Sequence, residues 1–337
     1  MILEWGAVTQ DERVCVATRG SEEDEEFGLH VGRRVDGRMR FAQRAEVDDL
    51  VALSASPPAW QGACDFVALS GEGEVTLVGA ETRTEQIAGA GYTAPGAAGY
   101  GRMSSLVARE DHLFALGYGG QAYLKETAGG PWRFLSLDFP RAANDTTVFY
   151  SAMRTGSGGY LFGGEFAPRP VFSDALLAAN AAGDATRVAE LLIRGRRTGH
   201  GVLWALDGAV WRPLDLPTGE QVFFLDRLGE RVLVVCVRAA SLLDPAGEEI
   251  VAAPIEPDAP VKGLLRMRGG VQALTGGVLV PMDGTEPAPG WAEPLPAPDE
   301  VFCAAGSASA AYAFEDARIL VNEGNGWQVV PYEFIEG

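Results

Sequence analysis

Short runs of apolar residues alternate with polar ones along the whole chain, and glycine-bearing turns separate these runs. The segment from His112 to Leu137 shows the pattern clearly: an apolar run, a glycine turn, an alternating run, a second glycine turn, and a third run opened by Trp132. Short strands punctuated by glycine predict an antiparallel β meander. The same order returns between Ala311 and Trp327.

The pattern repeats at a regular spacing. With the second strand of each unit aligned, the units begin near Val14, Phe66, Leu113, Tyr160, Val232, Val271 and Ala311. The intervals between them are 52, 47, 47, 72, 39 and 40 residues, and most agree with the roughly 40 to 50 residues of a four-stranded propeller blade. Six units have an earlier, innermost strand that begins near Leu50, Met103, Thr147, Val222, Leu264 or Val301.

The sequence therefore predicts an all-β fold, a seven-bladed β-propeller of four-stranded antiparallel blades in a single domain over residues 1–337. Tryptophans open several predicted fourth strands, and we expect them to pack between neighbouring blades. These are Trp132, Trp211, Trp291 and Trp327. Two β-sandwich domains are the alternative, but the repeat count and the lack of a linker disfavour them.

The interval of 72 residues contains a segment of different character. Between Phe166 and His200 the alternation stops, and the pattern predicts a helical hairpin over residues 173–198, inserted in blade 4. Ser173 can cap the first helix, Gly183 breaks it, and Gly195 ends the second. The spacing resembles one ankyrin repeat, which cannot bury its apolar stripe alone and must dock on something. The hairpin either packs on its own propeller or protrudes to bind a partner.

The net charge of the chain limits the kinds of molecule that it is expected to bind. The chain carries 46 acidic and 27 basic side chains, a formal net charge of −19, which argues against a nucleic-acid binder because such affinity depends on Lys and Arg. No run is long enough to span a membrane, and the first residues do not resemble a secretory signal. We therefore expect a cytoplasmic protein with no membrane partner. Only two lysines stand beside 25 arginines, with abundant Ala, Gly and Pro, which is typical of a high-GC bacterial chain.

The sequence predicts no catalytic residue, metal ligand or cofactor. The four cysteines form no C-x-x-C pair, and the three histidines lie far from metal-ligand spacing. Nucleophile-elbow, P-loop and zincin motifs are missing, as is the Ser-x-Asp prefix of sialidase-like turns. One enzymatic alternative stays open, because carboxylates that converge at a channel mouth could bind Ca²⁺ or act as acid and base.

Five consecutive acids, residues 22–26, lie between the second and third strands of the first unit. The helical insertion interrupts the same connection in the fourth unit, and equivalent connections of a meander share one face. Both features should therefore flank one end of the central channel, where loops on a rigid scaffold carry function. The predicted partner contacts are Glu22, Glu23, Asp24, Glu25, Glu26, Tyr92, Tyr100, Arg187, Arg194, Arg196 and Arg197. A solubilising loop and arginines that act as internal counter-charges are the alternatives.

The units punctuated by Gly-x-Trp resemble degenerate seven-bladed propellers of the broad WD40/YVTN/BNR-like class. Acidic propellers of this kind in high-GC bacteria resemble immunity proteins encoded beside polymorphic or type VI secretion toxins. That resemblance implies a stoichiometric inhibitor that covers the active site of a basic toxin domain. The competing hypothesis is a metal-dependent hydrolase or lyase with its site at the channel mouth.

Overall fold

The structure is a computed structural model that describes residues 2–21, 24–141, 145–168, 174–188, 199–216, 218–244, 249–253, 260–267, 270–286 and 288–335. Within these ranges the chain forms seven β-sheets, and consecutive strands of each sheet pair antiparallel. The sheets follow one another along the chain as blades, and the first strand of every blade lines a central channel. The longest described helix has eight residues, so no described helix could cross a bilayer.

The strands of the first three blades are short and end at turns. Blade 1 holds β1 (Ile2–Val8), β2 (Val14–Arg19), β3 (Glu26–Val35) and β4 (Arg38–Asp48). Blade 2 holds β5 (Leu50–Ala55), β6 (Phe66–Ser70), β7 (Glu74–Val78) and β8 (Arg83–Gln86). Blade 3 holds β9 (Met103–Ala108), β10 (Leu113–Gly117), β11 (Ala122–Lys125) and β12 (Trp132–Phe134).

The remaining blades follow the same order. Blade 4 holds β13 (Asp145–Arg154), β14 (Tyr160–Pro168), β15 (His200–Asp207) and β16 (Val210–Leu214), and blade 5 holds β17 (Val222–Leu228), β18 (Arg231–Cys236), β19 (Ala240–Leu243) and β20 (Glu249–Ala252). Blade 6 has β21 (Val261–Met267), β22 (Gly270–Thr275) and β23 (Val278–Pro281), and blade 7 has β24 (Cys303–Gly306), β25 (Ala311–Glu315), β26 (Arg318–Asn322) and β27 (Trp327–Val330). Short 3₁₀ helices cover Pro58–Trp60 and Pro298–Glu300.

The predicted propeller is confirmed. All seven aligned positions fall in the second strand of a blade, from β2 to β25. The prediction of four-stranded blades is confirmed, with the exception that blade 6 has three strands among the described residues. The Pro-rich segment after β23 contributes Trp291 to the packing there, but not as part of a strand. Proline cannot donate a ladder hydrogen bond, which disfavours a fourth strand in this segment.

The core is divided among the blade interfaces. Seven clusters of buried apolar side chains occur among the described residues, and each joins two neighbouring blades. Trp132 packs between blades 2 and 3, Trp211 between blades 3 and 4, and Trp291 and Trp327 between blades 6 and 7. The predicted packing role of these tryptophans is therefore confirmed. Because each cluster needs two blades, the ring must close for all seven to be filled.

A last strand, β28 (Tyr332–Ile335), closes the ring. It pairs in parallel with β4 and becomes the fifth, outermost strand of blade 1, with Phe334 opposite Phe41. The rings of Phe334 and Phe41 lie 5.8 Å apart, and Tyr332 packs edge-on against Phe41 at 6.3 Å. The C-terminal end of the described chain is thereby joined to the N-terminal blade through an aromatic cluster.

The helical hairpin is described only in part. Helix α1 covers Asp174–Ala181, a helical turn follows over 185–188, and Gly183 between them has a φ of +68°, the left-handed conformation that suits glycine. Residues 189–198, which include Arg194, Arg196 and Arg197, lie outside the described residues. The first helix and its break agree with the sequence, and the complete hairpin stays a prediction.

Stability should fall as the pH drops from 7.5 to 5.5. Burial lowers the pKa of His30, whose ring contacts Phe334 of the closing strand at 4.5 Å, and burial likewise lowers the pKa of His112. The unfolded histidines bind a proton near pH 6.5, whereas the folded ones resist it, so the unfolded state gains protons first. The free energy of unfolding should decrease by up to about 1.4 kcal/mol per pH unit for each histidine.

Urea unfolding at the two pH values tests this expectation. His30→Gln removes one titrating ring and can still bond to the Thr18 hydroxyl, which lies 3.0 Å from His30 Nε2. The variant should lose less stability on acidification than the parent protein. Equal losses in both proteins would show that His30 does not titrate as its burial requires.

Candidate protein-binding face

One face of the ring carries both departures from the propeller pattern. Two kinds of connection lie on this face: those between the second and third strands of a blade, and those between successive blades. We call it the insertion face. Backbone hydrogen bonds of 2.8 to 3.0 Å link these connections from blade to blade. They join Asp49 N to Glu25 O, Gly71 N to Asp49 O, Met103 N to Gly71 O, Tyr118 N to Arg102 O, Gly120 N to Thr147 O, and Gly201 N to Gly219 O. The acidic run and the base of the helical insertion therefore share one face.

Acidic side chains crowd at the rim of blade 1 on the insertion face. Glu26 opens β3 and pairs across the ladder with Asp48 at the end of β4, while Glu46 lies one pleat away. All three side chains are exposed. Repulsion by the Glu46 carboxylate is the main cause that raises the pKa of the exposed Glu26, and Asp48 adds to it. We call Asp24, Glu25, Glu26, Glu46 and Asp48 the acidic cluster.

Sequence reasoning found only part of this cluster. Asp24, Glu25 and Glu26 belong to the predicted run, and Glu22 and Glu23 lie outside the described residues. Glu46 and Asp48 are about twenty residues further along and join the run only through the register of β3 and β4. Like charges directly opposite each other in a sheet are destabilising, and a binding site is one place where such a cost is kept.

A glycine-rich connection from Ile87 to Arg102 covers the insertion face between blades 2 and 3. The Glu72 carboxylate accepts hydrogen bonds from the backbone amides of Tyr92, Thr93 and Ala94 at 2.6 to 3.0 Å. Burial raises the pKa of this carboxyl, but the three amide donors outweigh it and the pKa is lowered. The ordered turn leaves the Tyr92 side chain 65% exposed. Tyr92 is thus presented to solvent as a binding residue would be.

Tyr100 is placed differently from Tyr92. Its ring stacks on Phe134 at 5.7 Å, and the Arg141 guanidinium lies 4.1 Å from its centre. Arg141 in turn donates hydrogen bonds to the carbonyls of Gly119 and Ser136. Tyr100 therefore fixes the connection to blade 3, and only its edge is accessible.

Tyr100 and Arg141 form one wall of a cavity of about 580 Å³ on the insertion face. Phe166 and His200, whose rings lie 5.0 Å apart, also line this cavity at the base of the helical insertion. Trp204 and Leu214 line it as well. A recess of this size, lined by both polar and apolar groups, can accept a large side chain of a partner. Arg187 lies on the helical turn at 185–188, where it is exposed and its backbone amide bonds to Asp184.

The central channel, of about 1350 Å³, opens on the face opposite the insertion face. Three of its four carboxylates pair with arginines: Asp65 with Arg13, Asp111 with Arg154, and Asp226 with Arg266. No group of three or more His, Cys, Asp or Glu side chains in the described ranges could hold a metal ion.

No family model and no curated protein matches this sequence. Among solved structures, one chain of the mitotic checkpoint complex superposes with a TM-score of 0.55 at 12% identity, over 98% of this chain and 87% of that one. The extracellular domain of the hybrid two component system BT4673 from B. thetaiotaomicron gives 0.49 at 10% identity, over 98% of this chain but 38% of its own length. The Pan2 WD40 domain of Neurospora crassa gives 0.44 at 13% identity, over 86% of this chain and 88% of its own.

The class of protein follows from the sheets, and the superposition on the chain of the mitotic checkpoint complex agrees with it. Seven radial sheets whose strands run outward in sequence order define a seven-bladed β-propeller. The resemblance to WD40-like propellers noted in the sequence is confirmed at the level of the fold. At these identities the likeness extends no further than the fold, and function must be argued from the site.

Proposed function

We propose that this propeller is a protein-binding module whose insertion face contacts a basic protein. The observation that carries the proposal is the acidic cluster, in which Glu26, Glu46 and Asp48 are held together against their mutual repulsion at one rim of a rigid ring. A cationic partner would relieve that repulsion and would be steered to this rim by it. The exposed Tyr92 and the cavity beside Tyr100 supply apolar contact on the same face.

The geometry of the contact follows from the ring. The acidic cluster lies on blade 1 and the helical insertion leaves from blade 4, on opposite sides of the channel. A partner that touched both would cover the insertion face from rim to rim. Tyrosine, tryptophan and arginine contribute most to the energy of such interfaces, which favours Tyr92 and Arg187 as contacts. We include Glu22, Glu23, Arg194, Arg196 and Arg197 from the sequence alone.

The specific role that we propose is that of a cytoplasmic immunity protein. It would bind a secreted type VI or polymorphic toxin stoichiometrically and cover the toxin's active site. The support is the resemblance stated from the sequence, together with the acidic cluster. An enzyme that acts on an anionic substrate needs a cationic site, and clustered carboxylates could occupy that site in place of the substrate.

Neutralising the acidic run tests the electrostatic part of the proposal. When residues 22–26 are all changed to Ser, association with the partner should slow by about tenfold at low salt, because steering mainly changes the association rate. The dependence of that rate on ionic strength should flatten, while dissociation changes less. Stopped-flow mixing at several salt concentrations measures both rates.

A control removes three acids instead of five, and removes them from the other face. Glu81, Asp207 and Glu230 are exposed and lie in turns of the opposite face, so their replacement by Ser should leave association nearly unchanged. Identical kinetics for the run variant and the parent protein would discard the role of the acidic run.

A further inference from the structure

The channel lining at the face opposite the insertion face is rich in arginine. The chain as a whole carries a net charge of −19, yet five arginines line the channel at this end. Each lies at or just after the end of a first strand or in the turn that follows it. They are Arg13, Arg109, Arg154, Arg227 and Arg266.

Three of these arginines are neutralised by channel carboxylates: Arg13 by Asp65, Arg154 by Asp111, and Arg266 by Asp226. The other two, Arg109 and Arg227, have no carboxylate partner among the described residues. Glu110, exposed on the rim, is the one other acid of the lining. The described lining at this end therefore holds five arginines and four acids, whereas the chain as a whole is acidic.

Arg109 is held in place without an acid. Its Nε and Nη2 donate hydrogen bonds to the Ala152 carbonyl of blade 4 at 3.2 and 2.7 Å, and Nη2 also donates to the Leu225 carbonyl of blade 5 at 2.7 Å. These bonds fix the guanidinium across two neighbouring blades. Its Nη1 makes no hydrogen bond within the described part of the chain, and the side chain lines the channel. Two donors of a rigid fork are thus left for a ligand.

Asp226 neutralises only part of this charge. It is 3% exposed and pairs through Oδ1 with Arg266, and the same oxygen accepts a hydrogen bond from the Arg227 backbone amide at 2.7 Å. The Arg109 guanidinium, bonded to the Leu225 carbonyl, and the Arg266 guanidinium therefore both approach β17 at Leu225 and Asp226. Arg227 follows Asp226 in β17, and its side chain lines the same channel. These three arginines and Asp226 leave a surplus of two positive charges, which matches a dianion.

We propose that Arg109, Arg227 and Arg266 form a binding site for a small oxyanion with two negative charges, a phosphate monoester or a dicarboxylate, inside the channel. The planar forks of arginine match the oxygens of both groups. The three side chains come from blades 3, 5 and 6 and face one lumen, which suits a compact ligand better than an extended chain. The site is independent of the partner contact proposed for the insertion face.

Calorimetric titration of the full chain at pH 8 and constant ionic strength tests the site. The probes are inorganic phosphate, succinate and a peptide of consecutive glutamates. We expect phosphate or succinate to bind with a dissociation constant of about 1 mM or tighter. Phosphate alone would assign the site to phosphate esters, succinate alone to dicarboxylates, and both to oxyanions in general. Binding of the peptide without either small anion would overturn the proposal, as would no binding at all.

Two variants, expected to change the anion affinity in opposite directions, distinguish a specific binding site from general charge attraction. Arg227→Gln removes an exposed guanidinium with no carboxylate partner in the described ranges, so the fold should persist while anion binding weakens roughly tenfold. Asp226→Asn removes the competing carboxylate and should tighten binding by a similar factor. If Asp226→Asn does not fold, the first variant still decides.

The matched control is Arg212→Gln, the same change at an exposed position on the outer strand β16. It should leave the dissociation constant within twofold. Equal weakening by Arg227→Gln and Arg212→Gln, or no weakening by Arg227→Gln, would show that the channel arginines do not form a site.

Discussion

Truncation of the chain after Pro331 is expected to lower the free energy of unfolding by about 3 to 4 kcal/mol. The truncation removes β28 and with it Tyr332 and Phe334, whose rings pack on Phe41 and on each other. It also leaves β4 as the outermost strand of blade 1, with no strand paired to its outer edge. The interface between blades 7 and 1 depends on these contacts because both rings belong to the cluster that joins the two blades.

Urea unfolding followed by tryptophan fluorescence measures the loss, and Glu333→Ala is the control. Glu333 pairs with Arg40 on the exposed side of the same strand, and an exposed ion pair contributes about 1 kcal/mol or less. Amide exchange in β3 and β4 should speed up in the truncated chain. A truncated protein as stable as the parent would mean that β28 does not close the ring.

Phe149→Ala should have an effect of the same order, about 3 to 5 kcal/mol. Phe149 is fully buried in β13, where its ring lies 5.3 Å from Phe139, 5.2 Å from Phe162 and 6.0 Å from Trp211. These aromatic side chains fill the interface between blades 3 and 4. The cavity left by the truncated side chain is therefore lined by rigid rings that cannot collapse into it, which favours the upper end of the range.

Two companion variants show whether the loss comes from packing. Phe149→Leu keeps most of the volume and should cost about half as much. Val210→Ala changes a side chain in β16 that is 68% exposed and should stay within about 0.5 kcal/mol of the parent. Thermal and urea unfolding give both values. A loss under 1 kcal/mol for Phe149→Ala would contradict the division of the core among blade interfaces.

The repeat could be predicted because its signals are local. Alternation of apolar and polar residues and the glycine turns are set within ten residues, so the second strands from Val14 to Ala311 could be aligned correctly. The tryptophans allowed the packing between blades to be predicted for the same reason, because one large aromatic side chain per blade needs a neighbouring blade to bury it. Both kinds of signal remain recognisable although the sequences of the blades differ from one another.

The features that the sequence could not predict depend on the register of strand pairing and on the closure of the ring. Glu46 and Asp48 join Glu26 only because β3 and β4 pair as they do, and no spacing rule links them. The parallel pairing of Phe334 with Phe41 joins positions almost three hundred residues apart. The channel arginines come from separate blades and meet only when the ring closes. Tyr92 and Tyr100 lie in one glycine-rich segment of the sequence, and only the structure distinguishes the exposed Tyr92 from Tyr100, which stacks on Phe134.

Binding of a basic protein to the insertion face can be tested in the host itself. The most direct measurement captures partners of the tagged full-length chain from its native host with three proteins in parallel: the parent, a Glu26, Glu46, Asp48 to Lys variant, and a Glu81, Asp207, Glu230 to Lys variant. Both variants change the net charge equally, but on opposite faces. Hydrogen exchange of the recovered complex then maps the contact.

One basic protein should be retained by the parent and by the opposite-face variant, and should be lost from the Glu26, Glu46, Asp48 variant. In the complex, amides near Asp24, Asp49 and Tyr92 should be protected. Retention of the partner by the Glu26, Glu46, Asp48 variant, or protection confined to the turns of the opposite face, would contradict the claim.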